Sequence, residues 1–137
     1  MIYTLDLFLN YKGDIDDIAD EISKLFGIRL TKKNDEFGEK YSFNFMEIEF
    51  VLYGDHELED ERNIIFSDYK YQIQINKLRS GMDYETYNVM YEKTAMFLME
   101  KLSRTFNVNA MLVDNLQVLV SKINAGYAPL AQVQVSG

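Results

Sequence analysis

Six ionisable side chains fall in seven consecutive positions: Asp55, His56, Glu57, Glu59, Asp60 and Glu61. Carboxylates around an imidazole are the residue types of general acid–base chemistry. Such chemistry needs an environment as well as residue types. A carboxylic acid stays protonated near neutrality only when it is buried, and GDHELEDER is a polar stretch in which these groups stay solvated. His56 is the only histidine, and between carboxylates it reads as a solvated loop residue. There is no cysteine and no GxSxG, so no nucleophile motif accompanies it. Zinc sites draw on several His or Cys ligands. No GxGxxG, GxxxxGK[ST] or HExxH occurs. The acidic run at Asp14, Asp16 and Asp17 is broken as a calcium loop by Ile18, Ala19 and Ile22, and it suits helix capping instead. These residues therefore predict no enzyme, no metal and no cofactor. A carboxylate-dependent hydrolase is the weaker alternative.

Recognition remains. Acidic side chains steer a basic partner toward the surface that carries them. Tyrosines supply the rigid contact area on which interfaces concentrate their energy. The candidate partner-binding residues are Asp55, Glu57, Glu59, Asp60, Glu61, Asp68, Tyr69 and Tyr71, with Ile64, Ile65 and Phe66 as an apolar anchor between them. The plainer alternative is a solvated loop between strands, held by that anchor. The two are compatible, because an anchored loop presents its acids more rigidly.

Charge distribution supports a basic partner. The net charge is −8. Residues 1–70 hold seventeen Asp or Glu against eight Lys or Arg, and residues 71–137 hold five against six. All the negative excess lies in the first half, which repels nucleic acid and anionic membrane. The four arginines, Arg29, Arg62, Arg79 and Arg104, are scattered and form no basic stripe.

Several elements must position the acidic segment. Residues 2–11 alternate as a half-buried strand. Gly13 ends it, Asp14 caps a helix, and Ile15, Ile18, Ala19, Ile22, Leu25 and Phe26 share one helical face up to Gly27. Residues 28–34 read as a strand and Asp35–Gly38 as a hairpin connection. Residues 40–53 read as one long strand whose apolar parity changes near Phe45–Met46, through a β-bulge or through burial of both faces. Residues 69–76 alternate with one polar face: Lys70, Gln72, Gln74 and Asn76. Asp83 caps a second helix to about Phe106, with Tyr84, Tyr87 and Tyr91 on one stripe. That stripe is a binding face or, by preference, core with its phenols reaching the rim. Residues 108–113 form a strand. Residues 115–124 fit helical spacing, although their valines also suit a strand.

The order β-α-β-β-β-α-β-α predicts an α+β domain, an antiparallel sheet with two principal helices packed on it. A length of 137 residues suits one domain, over 1–124. Residues 125–137, AGYAPLAQVQVSG, are uncharged and read as a flexible tail or as residues added to the natural chain. No apolar run is long enough to span a bilayer. The N-terminal residues lack the basic start and small-residue cleavage site of a secretory leader, and the absence of cysteine fits a reducing cytoplasm.

The run Glu59-Asp60-Glu61-Arg62, followed by Ile65-Phe66-Ser67-x-Tyr69-x-Tyr71 in a small acidic chain without cysteine, resembles immunity proteins of bacterial polymorphic toxin and contact-dependent growth inhibition systems. The resemblance implies a cytoplasmic protein that binds one cognate toxin domain, often a nuclease, and masks it. It transfers no particular residue. An oligomeric structural or adaptor protein, assembled through residues 69–76 or 84–106, is the alternative from another class.

Overall fold

The computed structural model describes residues 4–36, 38–54, 56, 58–61 and 63–125. Alternation along the strands decides its layering. The chain runs β1 (Leu5–Leu9), α1 (Ile15–Phe26), β2 (Thr31–Asp35), β3 (Gly38–Phe45), β4 (Ile48–Tyr53), β5 (Tyr71–Lys77), α2 (Tyr84–Phe106), β6 (Ala110–Asp114) and β7 (Val118–Ile123). The strands form one antiparallel sheet in the order β2-β3-β4-β5-β1-β6-β7. This is a single α+β domain, and Phe37 of the expected 35–38 connection lies outside the described residues.

Directly paired residues share a face of the sheet. Leu7 pairs with Ile73 and with Leu112, and Leu52 also pairs with Ile73. These side chains meet Ile18, Ala19 and Ile22 of α1 and Tyr91, Ala95, Leu98 and Leu102 of α2 in the main core. Helix α1 begins with a reciprocal capping box between Asp14 and Asp17 and ends at Gly27, whose φ of 63° suits glycine. Helix α2 is capped by Asp83, which accepts from the Thr86 N–H at 3.0 Å. Two tyrosines of α2 tie it to the sheet. The Tyr91 hydroxyl accepts from the Leu5 N–H at 2.7 Å and donates to the Ile75 carbonyl. The Tyr87 hydroxyl donates to the Glu47 carbonyl at 2.7 Å. Both rings are buried and Tyr84 is exposed, so two of the three stripe tyrosines are core, and the Tyr91 phenol lies deeper than the rim.

The secondary structure differs from the sequence reading in two segments, 40–53 and 118–123. Residues 40–53 are a hairpin, with Phe45 opposite Ile48 and a two-residue turn at Met46–Glu47. Both turn residues have positive φ, 50° and 63°, as such hairpins require. The parity change comes from this turn and not from a bulge. Residues 118–123 are an edge strand where their spacing favoured a helix. A tight turn through Asn115 and Leu116 returns the chain along β6, with a register irregularity between Leu112 and Val113. The β-branched valines settle into this strand because β6 offers them a ladder.

The sheet's other face is split. Phe8, Met111 and Val113 form a second apolar cluster with Ile64, Phe66 and Tyr69. Gln74, Asn76, Glu49 and Tyr53 leave the β4–β5 part polar and half-open. Among the described residues no helix is long and apolar enough to cross a membrane.

Candidate functional site: an acidic ledge on the sheet

The chain leaves β4 at Gly54, close to α1: a Cβ there would lie 3.3 Å from Ile15 Cδ1. It then crosses onto the second apolar cluster and reaches β5 at Tyr71. Ile64 and Phe66 are buried in that cluster, whereas Ile65 is exposed. Two residues of the apolar trio therefore anchor the segment and the third faces solvent. Glu61 and Ile64 exchange backbone hydrogen bonds at 2.8 and 3.1 Å across a tight turn, with Asn63 at φ 68°.

His56 is not a solvated loop residue. Its Nδ1 accepts from the Leu58 N–H at 2.9 Å. Its Nε2 lies 2.6 Å from the Tyr69 carbonyl oxygen. A carbonyl only accepts, so these partners assign the neutral tautomer protonated on Nε2. The ring stands edge-on to Phe8, with centroids 5.4 Å apart. Both ring nitrogens are thus used in joining the start of the segment to its end.

Asp60 makes a second clasp. Its carboxylate accepts from the Ser67 N–H at 2.8 Å and from the Ser67 hydroxyl at 2.9 Å. Those hydrogen bonds, the backbone one first, hold its pKa below the usual carboxylate value. Phe66–Asp68 forms a short 3-10 turn at that point.

Glu59, Asp60, Glu61 and Asp68 are all exposed on this ledge. Asp55 and Glu57 lie outside the described residues, as does Arg62. Tyr69 and Tyr71 correct the sequence reading. They are 4% and 0% exposed, so their rings are packing and not contact area. Tyr69 joins the cluster under the segment, and burial first, then Asp68, raises its phenol pKa. Tyr71 joins the helix-side core and donates its hydroxyl proton to the Gly13 carbonyl. The two have the same parity but opposite fates, because β5 begins only at Tyr71.

The tertiary structure adds a neighbouring polar sheet face, half-open at Asn76 and Glu49 and closed over Gln72 and Asp6. Asn76 Nδ2 donates to Glu49 Oε1 at 3.1 Å, and Gln72 Nε2 donates to Asp6 Oδ1 at 2.9 Å. The polar alternation of 70–76 signalled this face, but the pairing with β4 and β1 did not show in the sequence. Asp6 is 3% exposed. Burial pushes its pKa up to about 6, against the lowering effect of the Gln72 hydrogen bond.

The ion pairs lie elsewhere. Lys24 meets Asp20, Lys32 meets Asp16 and Glu39, and Lys40 meets Asp35, at 2.8–3.5 Å. These pairs add little stability, but they neutralise acids of α1, β2 and β3. None involves Glu59, Glu61 or Asp68 among the described residues. A shallow hollow beside the ledge is lined by Asn10, His56, Ser67, Asp68 and Lys70, among others. Among the described residues, Asp68 is the only carboxylate lining it. The arrangement presents fixed negative charge next to a hydrogen-bonding sheet face.

Comparison with protein-family models, with curated proteins and with solved structures returned no match.

Proposed function

We propose that this chain is an immunity protein that binds and neutralises a cognate bacterial toxin domain, a basic nuclease-like protein, by covering it with the acidic ledge. One observation carries the reading: Glu59, Glu61 and Asp68 stand exposed and without ion pairs among the described residues, on a backbone clasped by His56, Asp60, Ile64 and Phe66. Charge held in place before encounter loses less entropy on binding. It also steers a basic partner over distances longer than contact. The half-open polar face of β4–β5 offers amides and a phenol for hydrogen bonds at close range. In this reading the protein acts stoichiometrically in the cytoplasm, with no cofactor and no reaction of its own.

Co-expression with the toxin fragment encoded beside its gene tests the proposal. A 1:1 complex on gel filtration and rescue of growth are expected. Purified chain that neither co-elutes with that fragment nor restores growth would sink it.

A further inference from the structure

We propose that His56 is a pH-sensitive latch, which releases the ledge at Leu58 when its ring takes up a second proton. In the clasped state the ring is neutral. Its Nε2–H donates to the Tyr69 carbonyl, and its Nδ1 accepts from the Leu58 N–H at 2.9 Å. Imidazolium carries a hydrogen on both nitrogens and accepts nowhere. Protonation therefore turns Nδ1 into a donor aimed at another donor, and that bond is lost. Turning the ring over does not restore it, because either nitrogen of the charged ring is a donor. The ring is also held from the side by Phe8 and Phe66, with centroids 5.4 and 6.5 Å away. The bond to Tyr69 survives, since a charged donor strengthens it. So the latch opens at one end only: the ring stays on Tyr69 and the chain at Leu58 lets go.

The neighbourhood suits such a release. Leu58 is only half-buried and packs at the margin of the second cluster. Leu58 and His56 both line the open hollow of about 460 Å³ beside the ledge, so water can take the freed N–H and bring protons to the ring. The second clasp outlasts the first. Hydrogen bonds from Ser67 hold the Asp60 carboxyl below the usual carboxylate range, so acid that charges an imidazole leaves Asp60 ionised. Over that interval the ledge is still held at Asp60 and at the Glu61–Ile64 turn, but not at Leu58.

The charges around the ring act in both directions. Asp60 lies near enough for an imidazolium to act on its carboxylate, and Asp68 shares the hollow with His56. Both favour the charged ring, as do the exposed Glu59 and Glu61 at longer range and Asp55 and Glu57, which flank His56 in sequence. Lys70, also on the hollow, opposes it. From β6 come Met111 and Val113, which carry no charge. From β1 comes Phe8, with Asp6 two positions away on the same face. Asp6 has its own titration at about 6, so the test must separate the two groups.

The latch rests on the proposed function only for its consequence, that acid weakens association with a basic partner by freeing Glu59 from its fixed place. Nuclear magnetic resonance of the isolated, nitrogen-15-labelled full chain, from about pH 8 to about pH 5, tests the latch itself. The ring nitrogens are expected to show the Nε2–H tautomer at high pH. As the ring protonates, protection of the Leu58 amide, corrected for the ordinary pH dependence of exchange, falls about tenfold, the worth of one hydrogen bond. Protection of the Ser67 amide holds. His56→Gln cannot be protonated and loses the step, whatever its own level of protection. Asp6→Asn keeps the step. A ring that protonates with Leu58 protection unchanged overturns the latch. So does a ring still neutral at the acid end, a step that persists in His56→Gln, or one that vanishes in Asp6→Asn. With the toxin fragment, wild-type affinity is expected to fall further than that of His56→Gln over the same pH range, and equal falls would overturn the consequence. A fragment that does not bind at any pH counts against the proposed function and leaves the readouts of the latch in place.

Discussion

Asp6, buried on the second face of the sheet, and His56, which clasps the segment lying over that face, each make a prediction. The carboxyl of Asp6 has a pKa of about 6 in the fold against an ordinary value of 3.8, because it is buried. The folded chain keeps this proton to a higher pH than the unfolded chain does. Asp6 therefore favours folding most below its unfolded pKa, and that contribution is lost as pH rises from about 4 to about 6. Asp6→Asn keeps an acceptor for Gln72 and removes the charge. It is expected to raise stability near pH 7 by up to about 3 kcal/mol and to change little near pH 4. Urea unfolding at both pH values checks this, and a gain of equal size at both would show that the charge is not the cause. His56→Ala leaves the Leu58 N–H and the Tyr69 carbonyl without their partner and removes the edge contact with Phe8. A loss of about 2 kcal/mol is expected. Faster amide exchange at Leu58 and neighbouring residues should accompany it. A global loss with unchanged exchange there would argue against the clasp.

At the scale of elements, the β3–β4 hairpin carries an evident strain. Its turn places Met46 and Glu47 at positive φ, where Asn and Gly are the natural occupants. Met46→Asn with Glu47→Gly should stabilise the fold by about 1–2 kcal/mol and raise the thermal midpoint by several degrees. A lower midpoint would mean that contacts of the Met46 or Glu47 side chain outweigh the strain. The same hairpin shows why part of the fold was hidden in the sequence. The apolar parity change at Phe45–Met46 was visible, but a bulge and a two-residue turn both shift parity. Only the usual Asn-Gly signature would have told them apart, and it is missing here. Residues 115–124 were hidden for another reason. Leu116, Leu119, Val120 and Ile123 satisfy helical spacing, and the competing interaction, a ladder with β6, is non-local. The helices were legible because their signals are local: Asp14 with Gly27 for α1, and Asp83 for α2.

For the whole molecule, the proposed inhibitory role makes charge and stability separable. Glu59→Lys, Glu61→Lys and Asp68→Lys change exposed side chains that make no ion pair among the described residues. The thermal midpoint should stay the same, while association with the toxin domain slows about tenfold or more at low salt and loses much of its salt dependence. Stopped-flow mixing at two ionic strengths reads this. An unchanged on-rate in the triple variant would move the interface off the ledge. Asp60→Lys makes the same change of charge but also breaks both hydrogen bonds to Ser67, so it should lower the thermal midpoint as well. The contrast between Asp60 and its neighbours is not visible in the run ELEDER, where all the acids look equivalent.

Periodicity, capping residues and charge by themselves determined the α+β class, both helices, strands β1, β2, β5 and β6, and the place of the negative charge in the first half of the chain. Each of those depends on neighbours within a few positions. The tertiary structure alone decided which face of the sheet each strand residue meets, and so which part of the acidic segment is surface. Tyr69 and Tyr71 lead into two different cores because one precedes β5 and the other begins it. His56 is a clasp because residues 2 and 13 positions away turn a backbone N–H and a carbonyl toward its ring. Those partners are brought together by the packing of Phe8, Ile64 and Phe66. Burial of that kind is a property of the assembled sheet, which local spacing does not encode.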